Sequence, residues 1–173
     1  MMNGETQGLK DYALALYARE GVSSACLLLQ ERTGLDVNIL LFAAWMGAVR
    51  GRAVGPEEIG EAQALVADWH REVVRPLRAM RRRLKTGPAP APSERTAKLR
   101  ENLQGLEIRA EIIELEELDA LAAQLAPEPA GSPRDMAAAG MLAVADAAAG
   151  RPLESEENDA VDIIARAAGM LPG

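Results

Sequence analysis

The sequence predicts an all-α fold, a single-domain bundle of about six to seven helices packed around one buried central helix. Hydrophobic residues make up 49% of the 173 positions, enough for one domain with a core. Only 3% of the residues are aromatic, whereas alanine, leucine, glutamate and arginine dominate, which favours helices over sheets. No segment shows the alternation of polar and apolar residues that is typical of a strand.

The predicted central helix belongs to the most apolar stretch of the chain, residues 22–51. A polar turn divides this stretch into two helices, Ser24–Thr33 and Asp36–Arg50. Gly34 can adopt the left-handed conformation that ends a helix, and Asp36 can cap the helix that follows. The second helix is apolar on nearly all sides, as a buried helix is. Neither apolar run reaches the ~20 residues that a membrane span requires.

A first helix is predicted over Leu9–Arg19 because its apolar residues recur at helical spacing, and Gly21 is expected to end it. Ser23 or Ser24 is then expected to cap the next helix, since a serine hydroxyl can accept a hydrogen bond from the first turn. The residues before Leu9 lack the basic start and apolar run of a secretory signal, so we expect a cytoplasmic protein.

A long basic helix is predicted from Pro56 toward Lys85. Proline is favoured at a first helical position, and the acidic residues that follow it suit the helix dipole. Pro76 lies inside this helix, where it removes a backbone hydrogen bond and clashes with the preceding turn. We therefore expect a kink or a break near Glu72–Arg75.

Alternating prolines at positions 88, 90 and 92 predict an extended connector. Ser93 then caps a long acidic helix that runs to about Leu125. The chain folds back at the prolines, so the acidic helix is expected to lie antiparallel to the basic one. Gly105 lies in mid-helix, where glycine is costly, and it predicts a close helix crossing or a bend.

Two alanine-rich helices are predicted at the end of the chain, Ser132–Ala149 and Ser155–Ala168, and the first serine of each is expected to be the cap. Such a hairpin buries little alone, so it must dock on another surface. We therefore divide the chain into a helical core domain, residues 1–126, and a C-terminal hairpin extension, residues 127–173, docked on the core or on a partner.

The charge is distributed unevenly along the chain. Residues 1–92 contain 12 Lys and Arg against 10 Asp and Glu, whereas residues 93–173 contain 7 against 16, which together give the net charge of −7. Four arginines of the basic helix share one face: Arg71, Arg75, Arg78 and Arg82. They could bind a phosphate or a nucleic-acid backbone. We favour the alternative that they pair with acidic residues of the following helix, because exposed arginines usually serve solubility and ion pairs. The expected acidic partners are Glu101, Glu107, Glu111 and Glu114.

No catalytic residue, metal site or cofactor is predicted. Cys26 lies among leucines and is interpreted as a buried, inert thiol rather than a nucleophile activated by His70. A single histidine without cysteine partners cannot make the usual zinc site, and position 67 is alanine where a di-iron bundle needs glutamate. A site made of glutamates alone is weighed below a solvated acidic face.

Three polar side chains lie nearest the apolar centre: Gln30, Asp36 and Asn38. They could line a ligand pocket between helices. Residues of this kind more often cap helices or join neighbouring ones by hydrogen bonds, which is the interpretation that we favour. Arg32 could pair with Asp36 across the turn.

Five blocks of the sequence are distinctive: Tyr12-Ala13-Leu14 with Tyr17, Gly21-Val22, Cys26-Leu27-x-Leu29-Gln30, Gly34-Leu35-Asp36-Val37-Asn38-x-Leu40-Leu41-Phe42 with Trp45, and Trp69-His70-x-x-Val73-Val74-x-Pro76-Leu77-Arg78-x-x-Arg81. Together they resemble a family of small bacterial proteins of unknown function. The resemblance covers about residues 9–120 and leaves out the tail beyond Pro127. It implies a cytoplasmic helical domain and brings no established activity, cofactor or site residue.

The leading functional hypothesis is a non-enzymatic helical interaction or adaptor module that binds a protein partner or forms a homodimer through the long helix or the C-terminal pair. Amphipathic helices without a convergent catalytic set favour it. The alternative is a small-ligand or anion-binding protein, an enzyme included. Its candidate site residues are Asp36, Asn38, Trp69, His70, Arg71, Arg75 and Arg78. A nucleic-acid partner ranks third, because the chain is acidic overall.

Overall fold

The computed structural model describes residues 7–173, and within that range seven helices follow one another with no β-strand. The first three are α1 (Leu9–Tyr17), α2 (Val22–Thr33) and α3 (Val37–Ala48). The fourth, α4, runs as Pro56–Trp69, a π-helical turn His70–Val74 and Arg75–Arg83. It is followed by α5 (Glu94–Ala122), α6 (Pro133–Ala149) and α7 (Ser155–Met170). The prediction of an all-α single domain is confirmed.

Helix α3 is the buried centre of the bundle. Its residues from Ile39 to Gly47 are all buried, and Phe42 and Trp45 are among the largest fully buried side chains. Helices α1, α2, α4, α5, α6 and α7 all contact it, α6 most extensively. Since apolar surface removed from water stabilises by about 25 cal/mol per Å², a helix that is buried all round is the largest single source of core stability.

The closest helix crossing lies between α3 and α6. A Cβ atom on Gly47 would lie 2.3 Å from the backbone nitrogen of Ala137, and one on Gly140 would lie 3.3 Å from the carbonyl oxygen of Ala43. Backbones can approach so closely only where side chains are absent or small. Gly105 has no atom within 4 Å of its would-be Cβ, so the close crossing predicted there is wrong.

Most of the predicted helix starts are confirmed. Gly34 is left-handed, with φ 75°, and the Asp36 carboxylate accepts from the Asn38 amide at 2.8 Å. Ser93 and Ser132 cap α5 and α6.

Two predicted caps are wrong. Helix α2 already begins at Val22, because the left-handed Gly21 turns the chain directly into it, so neither serine at 23 or 24 is a cap. Helix α7 is capped by Glu154 rather than Ser155, and the Glu157 carboxylate accepts from the Glu154 amide at 2.7 Å.

Pro76 does not break α4. The π-helical turn His70–Val74 precedes it, and the helix continues through Pro76 to Arg83. A widened turn displaces the carbonyl group that a proline ring would otherwise strike four residues earlier. The wide turn also alters the phase of the helix. In a regular α-helix, residues 70 and 78 would lie about 80° apart around the axis, whereas here His70 and Arg78 both face α5.

The C-terminal helices α6 and α7 pack on α3 and α2, and their buried side chains belong to the same core cluster as those of α3. Arg32 of α2 pairs with Glu154 and Glu156 at the start of α7. The hypothesis that Arg32 pairs with Asp36 is therefore wrong. Among residues 7–173, no helix combines the length and the apolarity needed to cross a membrane.

Candidate functional site

Eight polar residues converge where the start of α3, the π-helical turn of α4 and the middle of α5 meet. This polar cluster consists of Asp36, Asn38, His70, Arg78, Arg81, Glu107, Glu111 and Glu114. It lies against the apolar core and is largely removed from solvent. Glu114 is fully buried and Glu107 is 5% exposed.

Glu114 is the centre of the cluster. One of its oxygens, Oε2, accepts from the side-chain amide of Asn38 at 2.7 Å, and the other, Oε1, lies 2.9 Å from Nδ1 of His70. The same Nδ1 lies 3.4 Å from Oδ2 of Asp36. One ligand-type atom from each of Asp36, His70 and Glu114 therefore lies within 4.8 Å of the other two.

Local structure holds each of these three side chains in place. Asp36 caps α3 with Oδ1, which leaves Oδ2 directed at His70. His70 is the first residue of the π-helical turn and faces α5 because that turn changes the helix phase. Glu114 lies on the buried side of α5, and Asn38 fixes its orientation. The three groups come from three helices, so their separation depends on the packing of the bundle.

The outer part of the cluster is a set of ion pairs between α4 and α5. Arg78 donates to Glu107 at 2.9 Å and to Glu111 at 2.5 Å, and Arg81 donates to Glu107 at 2.5 Å. This is the pairing that the sequence favoured for Arg78, although the second arginine is Arg81 rather than Arg82. Glu101 instead pairs with Lys98 of its own helix.

The structure brings some of the predicted site residues together and not others. Asp36, Asn38, His70 and Arg78 belong to the polar cluster. Trp69 lies at its edge, where the indole Nε1 donates to the Ala110 carbonyl at 3.0 Å.

Two of the predicted arginines face elsewhere. Arg71 pairs with Asp68 and Glu72 of its own helix at the surface, and Arg75 is exposed and makes no ion pair within residues 7–173. The four arginines therefore do not form one anion site.

Negative charge exceeds positive charge in the cluster. Four carboxylates face two guanidinium groups, which leaves an excess of two negative charges when His70 is neutral. Burial raises the pKa of Asp36, and the hydrogen bond to Glu114 raises the pKa of His70. Burial also raises the pKa of Glu111. All three shifts favour the protonated form of the group.

Sequence reasoning missed the central role of Glu114. The sequence indicates the glutamates at 107, 111 and 114 as partners for arginines or, less favoured, as a metal site of glutamates alone. It groups His70 with Asp36 and Asn38 but not with Glu114. The spacings of four and three residues do place the glutamates on one face of α5. No local signal indicates that this face meets Asp36.

Cys26 lies outside the cluster, and burial raises the pKa of its thiol to about 12, as for an inert cysteine.

Comparison with known proteins places the chain in a family. A family model described as Protein of unknown function (DUF2390) matches residues 9–118, and the chain belongs to this family. The resemblance inferred from the sequence blocks is thereby confirmed. No curated protein and no solved structure matches the chain. The matched segment contains every residue of the polar cluster, whereas α6 and α7 lie outside it.

Proposed function

We propose that this family member binds a divalent transition-metal cation through Asp36, His70 and Glu114. The observation that carries the proposal is the convergence of two carboxylate oxygens and one imidazole nitrogen, each from a different helix. The proposal departs from our expectation of no metal, which rested on the absence of a second histidine or a cysteine. A site assembled from three helices needs neither.

The distances in the cluster are compatible with a metal centre. Zinc binds imidazole nitrogen and carboxylate oxygen at about 2.0–2.2 Å. Ligand atoms around such an ion therefore lie roughly 3.0–3.5 Å from one another in tetrahedral or octahedral geometry. The His70 Nδ1 atom lies 2.9 Å from Glu114 and 3.4 Å from Asp36, so these two pairs need little rearrangement. A cation would replace the hydrogen bond between His70 and Glu114 and the ion-pair contact between His70 and Asp36.

Charge also supports a cation. A buried excess of negative charge is unfavourable unless a cation, a proton or a hydrogen-bond donor compensates it. Two carboxylates and an imidazole are oxygen and nitrogen ligands, which suit Zn²⁺, Mn²⁺ or Fe²⁺ better than a soft ion such as Cu⁺. Asn38 would act as an outer partner, because its hydrogen bond to Glu114 Oε2 leaves Oε1 available to the ion.

Three protein ligands leave at least one coordination position for water or a small molecule. A small molecule could bind the cation at such a position, so the proposal keeps the small-ligand part of the alternative that the sequence suggested. The anion part of that alternative has less support. It required Arg75 and Arg78 in a cleft near Asp36, but Arg78 is neutralised by two glutamates and Arg75 faces solvent.

Calorimetric titration of chelator-stripped protein with Zn²⁺ and with Mn²⁺ tests the proposal. We expect one equivalent of at least one of these ions to bind, and Glu114→Gln to weaken binding about 100-fold or more because a neutral amide is a poor ligand. Glu101→Gln is the matched control, since Glu101 lies exposed on the same helix and outside the cluster. The stripped protein binding neither ion, or equal binding by the two variants, would contradict the proposal.

The leading hypothesis from the sequence, a helical interaction module, has separate support. Seven large apolar side chains on α4 and α5 are more than a third exposed: Leu65, Trp69, Met80, Leu99, Leu106, Ile108 and Ile113. Apolar surface of this kind often marks a protein-binding face. We propose interaction through this face as a second function, independent of the cation site.

A further inference from the structure

The end of α4 and the start of α5 form an antiparallel helix pair that extends from the bundle. We name this pair, residues 75–106, the arm. The segment Arg75–Arg83 contains no buried residue, and it contacts only α5 and the π-helical turn that precedes it. Two helices packed on each other alone bury little, and helical stability in water comes mainly from packing of an amphipathic face. The arm leaves three large apolar side chains about half exposed: Met80, Leu99 and Leu106, at 55%, 51% and 46%.

On α5, the apolar positions follow a heptad spacing. Leu99, Leu103, Leu106, Ala110 and Ile113 succeed one another at intervals of four, three, four and three residues. This is the pattern of a helix whose seam packs against another helix in a coiled coil. Leu99, Leu106 and Ile113 are 51%, 46% and 41% exposed, whereas Ala110 is 4% exposed, so the seam is only partly covered within the chain.

A second apolar row runs along α4 beside the first. Leu65 and Trp69 precede the π-helical turn, and Leu77 and Met80 follow it. The indole of Trp69 donates to the carbonyl of Ala110, a residue of the α5 row, so the two rows lie side by side. The ion pairs of Arg78 and Arg81 with Glu107 and Glu111 join the same two helices. The arm and the adjoining turns of α4 and α5 therefore share one apolar face, which we name the arm face.

We infer that the arm face binds the arm face of a second copy of this chain, so that two helix pairs form a four-helix bundle. This inference deepens the second function proposed above and does not depend on the cation site. A two-fold interface must be self-complementary, because the same patch supplies both sides. The two rows meet this requirement, since every position of each row is apolar: Leu99, Leu103, Leu106, Ala110 and Ile113 on α5, and Leu65, Trp69, Leu77 and Met80 on α4.

The size of the face supports a second copy as the occupant. The row from Leu65 to Met80 continues to Leu84, which is about 29 Å at 1.5 Å per residue. The α5 row from Leu99 to Ile113 is shorter, about 21 Å. With each helix about 10 Å wide, one copy offers roughly 500 Å² and the pair buries roughly 1,000 Å². Specific interfaces bury at least about that total.

Light scattering after size-exclusion chromatography, with sedimentation equilibrium for the dissociation constant, tests the inference on the full chain. We expect twice the 18.4 kDa mass of one chain for the wild type. Leu106→Glu should give a monomer, because the substitution would place a charge in each half of the apolar interface. Leu27→Glu is the matched control, since Leu27 is 47% exposed, nearly the same as Leu106, but lies on α2 away from the arm face.

Far-UV circular dichroism and the melting temperature show whether each variant folds, and Met80→Glu provides a second disruption from the other helix. A wild type that remains monomeric at all concentrations overturns the inference, and so does equal dimerisation of the Leu106→Glu and Leu27→Glu proteins. Metal titration of the same variants keeps the two proposals distinguishable. The cation site should be intact in a Leu106→Glu monomer, and its loss there would count against the independence of the two functions.

Discussion

The molecule contains two helical hairpins that are stabilised in different ways. The C-terminal hairpin, α6 and α7, packs on α3 through glycine and alanine, and its inner side chains are buried in the common core. The arm is joined mainly by ion pairs from Arg78 and Arg81 to glutamates of α5, and it leaves large apolar side chains exposed. The first hairpin completes the core of the domain, whereas the second leaves an apolar face exposed to solvent, where a partner could pack.

The comparison shows that hydrophobic content alone does not decide which part of a chain is the core. The C-terminal helices carry few large side chains, yet their small residues allow the backbones of α3 and α6 to approach closely. The arm carries many leucines, but only two helices are present to cover them. Close packing requires both apolar surface and enough neighbouring elements to remove it from water.

The same substitution made in the two regions should have opposite effects. Gly47→Ala would place a Cβ atom 2.3 Å from the Ala137 backbone, which cannot easily move away. We expect a loss of about 3 kcal/mol or more in the free energy of unfolding, measured with urea. Gly105→Ala is the matched control in α5, where the added Cβ meets no atom within 4 Å. It should stabilise by about 0.5–1 kcal/mol through helix propensity. Equal effects of the two substitutions would contradict the packing difference.

A smaller effect is expected from removing an ion pair of the arm. Arg78→Met would leave Glu111 without its cationic partner in a partly desolvated position. We expect a loss of about 2 kcal/mol, less than for a fully buried pair, because the Arg78 side chain is 21% exposed. Arg75→Met, one turn away and exposed, should change the free energy of unfolding by less than about 0.5 kcal/mol. The two variants being equally stable would show that these ion pairs do not stabilise the arm.

The difference between Arg78→Met and the wild type should also depend on pH. Burial alone would raise the pKa of Glu107, but hydrogen bonds from Arg81 and Arg78 bring it below its ordinary value. A carboxyl with a lowered pKa in the folded state stabilises the protein above its unfolded pKa, and this contribution is lost as the pH falls through the folded pKa. The advantage of the wild type should therefore shrink in acid, which urea unfolding at pH 7 and below pH 4.5 measures.

Much of the fold could be predicted from the sequence because its causes are local. The uniform apolar character of α3 indicated its burial, and Gly34, Asp36, Ser93 and Ser132 indicated the helix ends. These signals depend on neighbours a few residues apart. The π-helical turn had no comparable signal, because a proline inside a helix is equally compatible with a kink, a break or a widened turn.

The candidate site could be predicted only in part. The sequence identifies Asp36 and Asn38 as polar residues near the apolar centre and His70 and Arg78 as candidates on the basic helix, but it does not identify Glu114 as the group that joins Asn38 to His70. Glu114 lies 44 residues from His70 in the chain, so their contact depends on how α4 and α5 pack. The sequence favours glutamate partners for the arginines, but it does not indicate that Arg81 rather than Arg82 reaches them. The position of Glu114 and the pairing of arginines with glutamates both depend on how the helices pack. The residue pattern within one helix does not predict that packing.

Hydrogen exchange of the backbone amides in the wild type and in Leu106→Glu tests most directly whether the two hairpins differ as described. The account predicts slow exchange along Ile39–Gly47 and in α6 in both proteins, with faster exchange in the arm of the Leu106→Glu protein than in the arm of the wild type. An arm that exchanges as slowly as α3 in a monomeric Leu106→Glu protein would contradict the account, since it would show that the arm needs no partner.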